Sequence, residues 1–545
     1  MSPAPSLARR VFHGTLIHSR SLTEIEYITD ALLGVNEAGV IAFLDKDVRE
    51  GEVVARLEAK GWSGVQLVRL KRGEFLIPGL IDTHTHAPQY VNLAYGQQFE
   101  LLEWLNKVTF PAEAKFADAL YARRTYEGVV QRLINSGTTT VCYYGSLHLT
   151  TKVLAAICHR KGQRAFVGKC NMDRLSAPNY QEESASKSLE NTEEFVSFVR
   201  GKCVSPTVVA ASDGTLGANP TLAPASRDSF NTSLVQPIIT PRFAIACSDE
   251  LLTGLGEMLK KDPSLPCQTH LAENPTEIEF TKSLFPFAST YTHVYDHFGL
   301  LQQNTVLAHC VHLDHDEMDL IKSRESGISH CPNSNFNLRS GTSKVANMLD
   351  RGIKVSLGTD VAGGTSLGIL SAIRTASFAS KTIVFTQRDS TAPSASAPTP
   401  PTDAVPIVSA DGKTTYPPGY FSSRHLSIET LFYLATKGGA QVTCLEDRVG
   451  DFAVGKEFDA LLVQTGQRGS ETQKEEVGGE EQYELALEEG LEDRFPADEF
   501  GSSLFVEPED SLEKVFEKFL FSGDDRNLGS VFVRGRVIGG ARPLA

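Results

Sequence analysis

The chain has 545 residues, 41% of them hydrophobic and 22% charged, which is the make-up of a soluble globular protein too long for one small core. Its formal net charge of −15 and pI near 5.5 exclude the basic footprint expected of a nucleic-acid binder. No stretch approaches the ~18 apolar residues of a membrane span, Met1–Arg10 lacks the apolar core of a signal peptide, and the nine cysteines follow no disulfide or Cys-x-x-Cys spacing, so reduced thiols in a cytoplasmic protein are expected, with neither membrane nor nucleic acid as partner.

Taken in chain order, residues 11 to about 70 read as short strands and turns, with strands over Val11–His18 and Ala38–Phe43. From Phe75 onward, apolar runs alternate with amphipathic helical stretches. Strands are predicted over Phe75–Ile81, Thr138–Tyr144, Ala165–Cys170, Val235–Thr240, Pro266–His270, Thr305–Ala308, Gly327–His330 and Lys354–Leu357, and intervening helices include Thr125–Asn135, Thr150–His159 and Asp314–Ser323. Such alternation predicts a parallel α/β sheet. Eight such units favour a closed barrel, with a doubly wound open sheet as the alternative. Helical patterns follow over 367–385 and Ser427–Ala440, and strand character returns over Val449–Val463 and Val531–Ile538, so both chain ends are expected to share one small β domain.

Three stretches break the pattern. Residues 202–233 are small and polar, 386–422 are rich in Pro, Ser, Ala and Thr, and 466–500 carry twelve Asp/Glu against three Lys/Arg. They read as solvated insertions.

The chemistry is carried by Ile77-Pro78-Gly79-Leu80-Ile81-Asp82-Thr83-His84-Thr85-His86. On a strand, residues i and i+2 face the same side, so His84 and His86 can offer two imidazoles to one ion. His270, His309 and Asp360 also follow predicted strands, as do Arg242 and Asn333, and in an α/β barrel all strand C-termini converge on one face. The predicted ligands are His84, His86, His270 and Asp360, a set that suits Zn2+, with Fe2+ a substitute. Glu273, three residues beyond ligand His270, is placed to shuttle protons in the same cavity; otherwise it is a surface carboxylate opening a helix. His309 is either a further ligand or, as favoured, a hydrogen-bond partner for the attacking water or the substrate. No P-loop or dinucleotide fingerprint is present, and His315-Asp316-Glu317 lacks the Pro-Cys-x-x-Cys that a cytidine-type deaminase would add.

These residues resemble the amidohydrolase superfamily, through 78–86, His270, His309, His330-Cys331-Pro332-Asn333-Ser334-Asn335, Gly358-Thr359-Asp360, Ala435–Ala440 and Val454–Ala460. Further stretches are similar to the guanine deaminase family within it: Leu101–Leu105, Phe110-Pro111-Ala112-Glu113, Gly162–Lys169, Thr240-Pro241-Arg242-Phe243, Gly363-Gly364 and Gly523–Asn527. The resemblance implies a distorted (β/α)8 TIM barrel at 78–444 and a small β-sandwich domain built from 1–77 and 445–545. It also implies one zinc ion per subunit and a homodimer. The implied reaction is hydrolysis of guanine to xanthine and ammonia, in which zinc-activated water attacks C2, Asp360 accepts its proton and Glu273 protonates N3. His86, Gln89, Arg242, Phe243, His270, Glu273 and Asp360 would contact the purine, with Arg242 offering its planar fork to the O6/N7 edge. Rival expectations are a related hydrolase acting on another purine, a pterin or a triazine, and a non-catalytic scaffold, which the complete ligand set disfavours.

Overall fold

The apolar run Phe75–Ile81 is divided between two sheets, and Gly79 is the point of division. The structure, a computed structural model, describes residues 7–177, 179–203, 233–390, 406–408, 414–417, 419–466 and 501–544. A Cβ on Gly79 would lie 2.1 Å from Thr139 Oγ1, so a residue without one is needed where the chain passes from one sheet to the next.

Before Gly79 lie Arg10–Ser21 (β1), Glu24–Val35 (β2), Ile41–Asp45 (β3), Gln66–Arg69 (β4) and Glu74–Pro78 (β5). Beyond it, Leu80–His86 (β6) opens the site-bearing part of the molecule. β6 is followed by Thr138–Tyr144 (β7), Arg164–Gly168 (β8), Cys170–Asn171 (β9), Val235–Pro237 (β10), Thr240–Pro241 (β11), Cys267–Leu271 (β12), Thr305–His309 (β13), Gly327–His330 (β14) and Lys354–Leu357 (β15). Every pairing among these strands is parallel, in the orders β10-β8-β7-β6, β11-β9 and β12-β13-β14-β15. A parallel bridge between Ile239 and Cys267 joins the first arc to the third. At the other end no ladder is registered between β15 and β6; the chain just past β15 bonds to β6 instead, Asp360 N–H to the His84 carbonyl (2.9 Å) and His86 N–H to the Val361 carbonyl (3.2 Å).

After a minimal hairpin, Ile407–Val408 (β16) with Thr414–Thr415 (β17), the chain returns to the first sheet through Ala460–Gln464 (β18), Leu528–Val533 (β19) and Arg536–Gly539 (β20). The result is one eight-stranded sheet of order β20-β19-β18-β5-β1-β2-β3, with β4 on β1, so the chain's two ends do share a sheet. Its strands surround one apolar cluster, in which the Phe12 ring sits 5.0 Å from Phe458 and 5.6 Å from Phe532. β2 escapes sequence reading because its first half carries Glu24, Glu26 and Asp30, and only Ala31–Val35 is continuously buried.

Helices cover the parallel strands. The helix 119–135 begins at Asp118, whose carboxylate accepts from the Leu120 and Tyr121 amides, and it buries Ala122, Tyr126, Val129, Val130 and Leu133 along one face. The stretch predicted as one helix over Ser427–Ala440 is two, 428–435 and 437–442, broken at Thr436. No helix among the described residues is long and apolar enough to cross a membrane, and the nine cysteines are free thiols. The insertions expected at 202–233, 386–422 and 466–500 fall largely outside the described residues.

Arg164, at the start of β8, joins the two parts of the molecule. Its Nε and Nη2 donate to Asp459 at 2.9 and 3.0 Å, and Nη2 also reaches Glu457 at 2.7 Å. The Arg164 and Asp459 side chains are both only 2% exposed. Removing one partner of a buried pair leaves the other charged and desolvated, so Arg164→Ala is expected to lower stability by about 3–5 kcal/mol in urea unfolding. A loss no greater than that of a surface pair, under ~1 kcal/mol, would show that this clasp does not hold the two parts together.

Candidate active site

The side chains singled out above converge at the C-terminal ends of the parallel strands. His84 and His86 leave the end of β6 on one side, with ring centroids 5.0 Å apart. His270 belongs to β12, His309 ends β13, and Asp360 follows β15. Left-handed backbone occurs at Ala272 (φ +49°), His309 (φ +71°), Cys310 (φ +49°) and Asp360 (φ +47°). Such non-glycine conformations cost about 1–3 kcal/mol each and concentrate where a site needs a side chain turned.

The donor atoms are close. His86 Nε2 and His270 Nε2 are 3.1 Å apart. Asp360 Oδ1 lies 3.2 Å from His84 Nε2 and 3.5 Å from His86 Nε2. His270 Nδ1 is 2.5 Å from the Arg242 carbonyl oxygen, which accepts its proton and leaves the Nε2 lone pair facing the centre. Neither His84 Nε2 nor His86 Nδ1 has a hydrogen-bond partner. Burial lowers the pKa of all three imidazoles, keeping them neutral. Burial alone would raise Asp360, but the neighbouring imidazoles of His84, His309 and His86 hold it well below the usual carboxylate range.

The fit to an ion can be tested by geometry. Nitrogen and oxygen ligands about 2.0–2.1 Å from a tetrahedral zinc stand ~3.3–3.4 Å from one another. The separations of 3.1, 3.2 and 3.5 Å bracket that value. His84, His86, His270 and Asp360 therefore could hold one divalent ion. Cys331 also lies within 4.8 Å of the His84 and His309 nitrogens, though burial pushes its thiol well above its ordinary pKa.

His309 stands beside this centre. Its Nδ1 is 2.9 Å from Asn335 Oδ1, and its Nε2 lies 3.4 Å from Glu273 and 3.8 Å from Asp360. Glu273 is buried, not the surface carboxylate of the alternative, and Ser340 Oγ donates to it at 3.1 Å. Burial pushes its carboxyl up to about 7.

A pocket opens on these groups. Gln89, Arg242 and Phe243 line it. Leu101, Trp104, Leu105 and Leu338 close it with apolar surface. Arg242 also makes contacts behind the wall that the sequence does not disclose. Its Nη1 and Nη2 donate to Glu113 at 2.6 and 3.1 Å, and Phe110 packs over its guanidinium carbon at 5.2 Å. In the sequence Glu113 stands out only as part of Phe110-Pro111-Ala112-Glu113. It comes from the irregular helical segment 101–113, whose middle turn, Leu105–Thr109, is π-helical, so no 3.6-residue stripe marks which residues face inward.

The Amidohydrolase family model matches residues 75–538. Guanine deaminase of Dictyostelium discoideum is 37% identical over 97% of this chain and 98% of its own length. The Homo sapiens guanine deaminase is 35% identical over 98% and 97%. The crystal structure of a C. acetobutylicum guanine deaminase with guanine bound in the active site superposes with a TM-score of 0.71, at 31% identity, covering 97% of this chain and all of that one. The strand-end histidines, the acid beside them and the near-complete length of these matches agree: the chain belongs to the amidohydrolase family, and within it to the guanine deaminases.

Proposed function

We propose that this enzyme hydrolyses guanine to xanthine and ammonia at a single divalent ion, zinc by preference. The observation that carries the reading is the buried group of His84, His86, His270 and Asp360, whose donor atoms stand at ion-sharing distances beside a pocket lined by Gln89, Arg242 and Phe243. Bound there, zinc supplies Lewis acidity that brings the pKa of water from ~15.7 to about 7.

The chain's own residues do the rest. Asp360, kept ionised by the imidazoles around it, takes a proton from the attacking water. Glu273, with its pKa near neutrality, can carry a proton to N3 as the water oxygen adds to C2. The added hydroxyl then returns a proton to Glu273 as C2 becomes a carbonyl, the C2–N bond breaks, and the amino group leaves as ammonia with the proton that Asp360 took. His309, oriented by Asn335, reaches both carboxylates and is placed to hydrogen-bond the water. Two of the five Arg242 N–H donors bond Glu113, and the others remain for the purine's O6/N7 edge, while Phe243 offers a ring to its face.

The wider assignments follow the same reading. The bridge from Ile239 to Cys267 and the bonds from Asp360 and Val361 to β6 support a distorted (β/α)8 barrel over 78–444. The change of sheet at Gly79 supports a boundary there. The apolar cluster enclosed by the terminal strands supports a small β-sandwich domain made of 1–77 and 445–545. Family resemblance supports a cytoplasmic homodimer with one ion per subunit.

Glu273→Gln is expected to keep its zinc by elemental analysis and to lose about 10²–10⁴-fold in turnover of guanine to xanthine, followed by absorbance. Near-normal turnover would remove Glu273 from proton transfer. His84→Ala should purify with little metal; full zinc occupancy would contradict its place among the ligands. Chelation of the wild type should abolish ammonia release from guanine, with zinc restoring it, and parallel assays on adenine and pterins test the substrate assignment.

A further inference from the structure

Behind the purine-facing wall lies a carboxylate with no role in the chemistry described above. Glu113 does not line the cavity; it supports the two side chains that do. Its Oε1 accepts from Gln89 Nε2 at 3.0 Å and from Arg242 Nη2 at 3.1 Å, and its Oε2 accepts from Arg242 Nη1 at 2.6 Å. The Tyr180 phenol lies beside it as well. The Gln89 amide is thereby fixed at both ends, because its oxygen accepts from Ala362 N–H at 3.1 Å. The pair is out of water, with the Arg242 side chain 2% and that of Glu113 0% exposed.

We infer that Glu113 is a positioning and charge-balancing residue, which sets the Gln89–Arg242 wall for a neutral purine and against the anionic form of the product. The inference rests on the guanine reading above. Hydrolysis replaces the amino group of guanine with a second lactam, and xanthine is for that reason the stronger acid. A lone buried guanidinium would hold the xanthine anion strongly, since Coulomb attraction is large out of water. Compensated by Glu113, the same fork keeps its geometry and carries no net charge, so product leaves as easily as substrate enters. Cys170 and Tyr180, which also face Arg242, stay neutral because burial raises their pKa, and Lys169 nearby is paired with Glu182 at 2.5 Å.

The test compares inhibition by xanthine with inhibition by hypoxanthine, a weaker acid, at mildly alkaline pH in zinc-loaded enzyme. In Glu113→Gln the KM for guanine should rise ~10-fold with a smaller fall in kcat and unchanged zinc content. The ratio of xanthine Ki to hypoxanthine Ki should fall ~10-fold, the equivalent of one partly screened charge. A wild-type ratio in this variant overturns the inference, because loss of packing alone would weaken both inhibitors alike. Should Glu113→Gln fail to fold, Glu113→Asp decides. It keeps the charge and shortens the reach, so KM should rise several-fold while the inhibitor ratio stays at the wild-type value; a wild-type KM or a shifted ratio overturns the inference. A wild type that releases no ammonia from guanine would instead overturn the proposed function.

Discussion

The dominant constraint on this structure is the burial of imidazole lone pairs that face one another. Nitrogen atoms of His86 and His270 meet at 3.1 Å, and His84 Nε2, 3.2 Å from Asp360 Oδ1, makes no well-aligned hydrogen bond. Buried polar atoms are costly unless paired. A fold that crowds several of them in one dry place needs a further group to join them, or it gives up stability for nothing. The surrounding bonds look designed to hold that crowding. Asp82 accepts from the His84 and Thr359 amides, at 3.2 and 3.0 Å, and so fixes the end of β6 to the turn that presents Asp360. The Arg242 carbonyl fixes the His270 ring, which makes the substrate wall and the ion site parts of one framework.

Two carboxylates within this framework are driven apart in acidity by their surroundings. Both are buried, and burial pushes each upward. Asp360 faces three imidazoles and stays ionised, whereas Glu273 faces His309 at 3.4 Å, feels Asp360 and Glu277 as like charges, and is left near 7. An acid that gives its proton and a base that takes one can therefore coexist a few ångströms apart at neutral pH, which is what hydrolysis of an amidine carbon asks for.

The residues gathered at the strand ends are readable in the sequence because their signals are local and periodic. His84 and His86 share a strand face, and each other candidate stands just after an apolar run that became a parallel strand. Strand–helix alternation likewise gave most of the site-bearing elements. What stayed hidden lacks such a period. β2 is half solvated, and its charged residues mask the strand. The segment 101–113 changes from α to π and back, so Trp104 and Glu113 turn inward without a stripe to announce them. The Arg242–Glu113 pair spans 129 positions, and no spacing rule connects residues so far apart. For Arg242 the ion pair and the proposed purine contact are compatible, since the carboxylate uses only part of the guanidinium.

This division has a physical origin. An ion asks the same of every relative: a few donors at fixed short distances, which strand ends can supply through a compact motif. A heterocycle asks for a shaped wall, and shape is set by whatever fills the space behind it. Here that filling is Glu113 with Phe110 and Tyr180, supplied by irregular backbone between β6 and β7 and by the loop leading into the 185–202 helix. Reaction class is thus written in residues 78–86 and their strand-end partners. In the proposed reading, substrate choice depends on the long-range packing that gives Gln89 and Arg242 one orientation and no net charge.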